Sequence, residues 1–96
     1  MQDSPEAGDI SEHLLNNKAA ALNMLGRYSE SISILEKCIE KKPKEIYYKN
    51  LADAYFSIGI NEKAVLNYEK AIKLNSELDE ALFNLAVCHY TQGHFK

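Results

Sequence analysis

The chain has few cysteines, no tryptophan and no long apolar run. Its two cysteines, Cys38 and Cys88, lie far apart in the chain and neither belongs to a C-x-x-C pair. That spacing makes neither a disulfide framework nor half of a zinc site, so both read as small buried apolar residues. No stretch approaches the ~20 apolar residues needed to cross a bilayer. The opening residues MQDSPEAGDI lack the basic start and apolar run of a secretory signal, which predicts an intracellular, cytoplasmic protein with no membrane partner. Basic excess is missing too: eleven Lys and Arg stand against fourteen Asp and Glu, a net charge of -3 that argues against nucleic acid as a partner. What is present, 46% hydrophobic and 26% charged residues over 96 positions, suits one small folded domain.

The chain repeats itself. Leu51-Ala52 recurs as Leu85-Ala86, and Asn50, Phe56 and Gly59 recur as Asn84, Tyr90 and Gly93 at the same displacement. One unit earlier, Asn17 and Gly26 precede Asn50 and Gly59 by one position less than that displacement. A fixed period of this length is the mark of stacked supersecondary units. The units run over 12–44, 45–78 and an incomplete 79–96, two and a half repeats.

Each unit carries the signature of a helix hairpin. Tyr48, Leu51, Ala52 and Tyr55 fall at i, i+3, i+4 and i+7, and Ala64, Tyr68, Ala71 and Ile72 make a second stripe. Gly59 between them stands where one helix stops and the chain reverses, and Asn61 is placed to cap the next. In the first unit Leu15, Ala19 and Leu22 precede Gly26, and Ile32, Leu35, Cys38 and Ile39 follow it. Asp9 with Glu12 and Ser76 with Asp79 resemble capping boxes, and Pro43 suits the first turn of the third helix. The spacing predicts five helices, over 10–25, 29–41, 44–58, 61–74 and 77–92, behind an acidic flexible tail at 1–9.

At these residues the sequence resembles the tetratricopeptide repeat (TPR) family. The family pattern is W-x2-L-G-x2-Y, then A-x3-F, then P, within one repeat. The middle unit reads Tyr48-x2-Leu51-Ala52-x2-Tyr55, then Ala64-x3-Tyr68, with Ser76 at the proline position. The first unit gives Leu15-x2-Lys18-Ala19-x2-Leu22, then Ser31-x3-Leu35, then Pro43; the last gives Leu82-x2-Leu85-Ala86-x2-His89. Lys18 in place of leucine is the main departure, tolerable on a terminal helix where a lysine can snorkel. The resemblance implies an all-α helix-turn-helix solenoid over residues 10–96. Its first helices would line a concave groove that receives a peptide or a partner's helix.

Helical steps opposite the packing stripe place Asn17, Asn50, Asp53, Phe56, Asn84 and Tyr90 on that groove face, with Asn16, Asn23, Glu80, Phe83 and Val87 beside them. Asn17, Asn50 and Asn84 share one place in successive repeats, so they are expected to form a ladder of amides, each offering a donor and an acceptor to a peptide main chain. That ladder is similar to those of TPR arms serving sugar-transferring enzymes. A generic consensus residue is the plainer reading of each asparagine, and packing against a neighbouring helix is the plainer reading of Phe83 and Tyr90. Asn16, Ala20, Glu80 and Asn84 stand where chaperone-tail receptors of this family place their cations and a second asparagine, and only Asn50 fits, so a carboxylate clamp is not expected. The lysines at 37, 41, 42 and 44 fall near the end of the second helix, where they complement its dipole.

No Gly-rich phosphate loop, nucleophile motif or carboxylate pair across a pocket is present, so neither catalysis nor a cofactor is expected. Cys88, His89 and His94 point to different sides of a helix and predict no metal site. The expected function is an interaction module or adaptor for a protein or peptide. The alternative is a targeting arm or structural piece of a larger TPR-containing enzyme, such as a glycosyltransferase, or of an assembly. The last helix lacks its hairpin partner, which predicts further chain or self-association over its open side.

Overall fold

The structure, a computed structural model, describes the backbone of residues 5–94 and the side chains of residues 11–91. Five α-helices account for the regular structure among them: α1 Pro5–Met24, α2 Tyr28–Lys41, α3 Glu45–Ser57, α4 Asn61–Leu74 and α5 Asp79–His94. The all-α solenoid read from the repeat is thus the observed architecture. α1 starts at Pro5, earlier than the stripe alone predicts, with proline in its first turn where a missing N–H costs nothing. Residues 5–9 of the expected flexible tail are therefore helical backbone, while 1–4 and the side chains of Asp9 and His94 lie outside the described residues.

The turns show why the hairpins form. Gly59 adopts φ +87° and Gly26 φ +81°, both in the left-handed region. At the first hairpin the Arg27 N–H donates to the Leu22 carbonyl at 2.8 Å; at the second the Ile60 N–H donates to the Tyr55 carbonyl at 2.9 Å. With the Gly26 N–H on Asn23 and the Gly59 N–H on Phe56, both at 3.1 Å, each turn is a Schellman motif that satisfies the last carbonyls of its helix. The residue after glycine then also opens the next helix: Arg27 and Ile60 are the N-cap residues, without a side-chain cap. Asn61, expected as a cap, is consequently the first residue inside α4, because the tight turn leaves no residue to spare.

Two other boundaries differ from expectation. Pro43 lies between Lys42, which closes α2, and Lys44, which opens α3, so it ends one helix instead of starting the other. No capping box forms at Ser76. Asn75 organises that turn, its Oδ1 accepting from the Glu77 N–H at 3.1 Å and its carbonyl from the Leu78 N–H at 3.2 Å, and α5 begins only at Asp79.

Helix α3 is the centre of the molecule and touches the other four. It contacts α1 and α5 on one side and α2 and α4 on the other, while α2 and α4 do not reach each other. The odd-numbered helices therefore form a closer inner layer and the even-numbered ones a splayed outer layer, which gives a concave and a convex side. Alanines at 19, 52, 64, 71 and 81 are fully buried and let helix backbones approach. Tyr47, Leu51, Tyr55 and Tyr68 fill the space between them, each burial worth roughly 1.5–3 kcal/mol for a side chain of this size. Cys38 and Cys88 are buried as expected. Tyr47, outside the expected stripe, is buried more completely than Tyr48 because α3 is packed on both sides.

The last helix behaves differently. Leu51 and Ala52 of α3 are buried, whereas their counterparts on α5 are half-buried Leu85 and exposed Ala86. Leu82 and His89 are exposed as well, because no described helix follows α5.

Candidate partner-binding groove

The concave side is built on one face of α3. Lys49, Asp53 and Phe56 point along it at helical spacing, flanked by α1 and α5. Between α3 and α5 lies a hollow of about 210 Å³, lined by Asp53, Phe56, Ser57, Tyr68, Asn84 and Val87. Three of the six expected site residues, Asp53, Phe56 and Asn84, thus meet in one place.

Asp53 is the hub. Its Oδ1 accepts from the Tyr68 hydroxyl and from Asn84 Nδ2 at 3.1 Å, and its Oδ2 pairs with Lys49 Nζ at 3.0 Å. Lys49 also reaches Glu80 Oε1 on α5 at 3.1 Å. Burial by itself would lower the Lys49 ammonium, but the hydrogen bond and charge of Asp53, then of Glu80, outweigh it and hold the group above its usual value. Burial pushes the Tyr68 phenol far up, and the bond to the Asp53 carboxylate adds to the shift. Phenol and ammonium therefore both keep their protons, and the floor of the hollow is a fixed set of paired polar groups from three helices. Charge-assisted bonds of this type are stronger than neutral ones and orient the exposed atoms of Asn84 and Asp53.

The amide ladder takes a different form from the expected one. Asn17 is exposed and bonds neither Asn50 nor Asn84. Its neighbour Asn16 is buried, and Asn50 Nδ2 donates to Asn16 Oδ1 at 2.9 Å. Asn23 Nδ2 donates to the Asn50 carbonyl at 3.1 Å. Asn50 is only 6% exposed, so its amide ties α3 to α1. Of the three expected rungs, only Asn84 presents its amide at the hollow. The arithmetic of the repeat carried this signal: Asn16 precedes Asn50 by the same displacement that separates Asn50 from Asn84, while alignment on Gly26 pointed one residue further on, to Asn17. Ser57 and Tyr68 join the hollow without having been expected, since their placement depends on how α4 and α5 cross α3, whereas Val87 lies on the groove face that helical spacing gives α5. Tyr90 and Phe83 are on α5, 74% and 69% exposed, and neither lines the hollow.

Among the described residues, no three His, Cys, Asp or Glu side chains cluster to hold a metal ion, and no helix is long and apolar enough to cross a membrane.

Comparison with known proteins agrees with this architecture. A TPR repeat model matches residues 52–93 and a tetratricopeptide repeat model matches residues 12–45. A TPR repeat-containing protein of Methanocaldococcus jannaschii is 31% identical over 91 residues, which cover 95% of this chain and 16% of that relative. The chain belongs to the tetratricopeptide repeat family. Repeats of this family generally mediate protein–protein interaction.

Proposed function

We propose that this chain is a non-catalytic adaptor whose concave face receives a peptide segment or helix of a partner protein, with the hollow between α3 and α5 as its main contact. The observation that carries this reading is the convergence of a half-buried aromatic, Phe56, with an oriented amide, Asn84, and a half-buried carboxylate, Asp53, in one open hollow. An apolar wall with a few positioned polar groups is the composition of a recognition site. Asn84 has one amide hydrogen committed to Asp53, and its Oδ1 can accept from a peptide N–H.

A peptide-display library panned against the chain, followed by amide chemical-shift mapping of the selected peptides, tests the proposal. Shifts concentrated at Phe56, Ser57, Asn84 and Val87 support it. Selected peptides that all perturb other surfaces, or panning that enriches nothing, refute it.

A further inference from the structure

Helix α3 also forms the floor of a second groove, on the opposite side of the molecule. Because α2 and α4 both pack on α3 without touching each other, they leave an open channel of about 430 Å³ between them. Tyr48, half-buried, and the buried Leu51 and Tyr55 form its floor, and Ile39 and Leu66 carry the apolar surface up the two walls. Leu66 is 49% exposed there. From Tyr48 to Tyr55 the floor runs roughly 10 Å along the helix, or about two turns.

The two walls carry opposite charges. Glu36 and Glu40, one turn apart on α2, line one rim, and Lys63 and Lys70 on α4 line the other. The lysines lie across the floor: Lys63 Nζ is 5.3 Å from the Tyr55 ring centre and Lys70 Nζ 5.7 Å from that of Tyr48. The Tyr55 hydroxyl donates to Glu36 Oε2 at 3.3 Å. Asn67 adds a polar group low in the wall. It is 7% exposed, its Nδ2 donates to the Lys63 carbonyl of its own helix at 2.8 Å, and its Oδ1 has no partner among the described residues. That oxygen is not sealed from the channel, so a partner's donor can reach it.

From this arrangement we infer that the convex channel between α2 and α4 is a second docking site, for a short amphipathic helix of a partner protein. The helix lays an apolar seam along the channel, on half-buried Tyr48 and Ile39 and on exposed Leu66, above the buried Leu51 and Tyr55. It presents basic residues to Glu36 and Glu40 and acidic residues to Lys63 and Lys70, and one donor within its seam meets Asn67 Oδ1. Charges on the rims of such a seam select the partner, as they do at the flanks of paired helices. Both-acidic or both-basic flanks place like charges against one wall whichever way the helix runs. A helix with one flank of each sign satisfies both walls in one direction only.

The test uses short peptides locked into a helix by a side-chain lactam, with a leucine seam containing one asparagine, and with flanks that are mixed, all glutamate or all lysine. Titration against the whole chain should show the mixed peptide binding about tenfold tighter than either single-sign peptide. Glu36→Lys with Glu40→Lys, both exposed positions, makes both rims basic and should shift the preference to the all-glutamate peptide by a similar factor. Leu66→Ser should weaken every peptide, whereas Phe56→Ala on the concave side should leave them unchanged. Circular dichroism melts establish that each variant is folded. Absence of mixed-peptide binding, equal affinity for all three flanks, no switch in the charge-reversed chain, or loss of binding on Phe56→Ala would each overturn the inference.

Discussion

Single side chains here divide into those that hold helices together and those that face a groove, and the hydrogen bonds separate the two. Ser31 is fully buried on α2, and its Oγ has no hydrogen-bond partner among the described residues. Its counterpart one unit later is Ala64, equally buried. Ser31→Ala removes an unsatisfied hydroxyl from a helix interior, so it should raise stability by about 1 kcal/mol, measured as a higher urea midpoint. A drop would show that the hydroxyl has a partner. Asn50→Ala should do the reverse. It leaves Asn16 Oδ1 without its donor in a buried contact and should cost about 1–2 kcal/mol of folding stability by the same measurement. An unchanged midpoint would return Asn50 to the groove surface where its spacing alone had placed it.

Buried proton donors set a limit at high pH. Burial pushes the Cys38 and Cys88 thiols above their usual 9.0, with Glu12 and Asp53 respectively adding to the shift, and it pushes the Tyr68 phenol above 10.0. Below those usual values folded and unfolded chains hold the same protons, and the stability is fully present. Above them the unfolded chain sheds protons that the folded chain keeps, so stability should fall as pH climbs from about 9 through 10 and beyond. Thermal melts from pH 7 to 11 test this, and a melting temperature that stays level or rises above pH 9 contradicts it.

At the scale of elements, glycine at φ > 0 makes each hairpin. A Cβ at Gly59 would meet nothing within 4 Å, so the cost of Gly59→Ala lies in the backbone alone, about 1–2 kcal/mol. Denaturant titration showing no loss would mean the turn can adopt another geometry. The existence of all five helices was legible because Leu51-Ala52 and Leu85-Ala86 repeat on a helical stripe and Gly26 and Gly59 punctuate it. Helix ends were less legible. Asn61, Ser76 and Pro43 are all good boundary residues in isolation, but the Schellman turn makes Ile60 the N-cap of α4, the Asn75 turn holds the start of α5 back to Asp79, and Pro43 falls between the caps of α2 and α3. The candidate site was half legible for a related reason. Asp53, Phe56 and Asn84 follow from their own helices, whereas the choice of Asn16 over Asn17 depends on how α1 is rotated against α3.

Over the whole molecule, the central position of α3 produces two grooves on opposite sides, and Leu82, Phe83 and Tyr90 of α5 are exposed at one end, where no described helix packs over them. The chain spans 16% of the length of the M. jannaschii relative. The proposed recognition on the concave side rests on a hollow whose floor is fixed by paired charges and whose wall is Phe56. The most direct measurement is the affinity of a display-selected peptide for the parent chain and for the Phe56→Ala, Asn84→Ala double variant, taken with their thermal melts. Both residues sit at the hollow, half-buried, so the variant should stay folded with a melting temperature lowered by only a few degrees, and it should bind about tenfold or more weakly. A folded variant that binds as tightly as the parent would contradict the assignment of the concave hollow as the partner site.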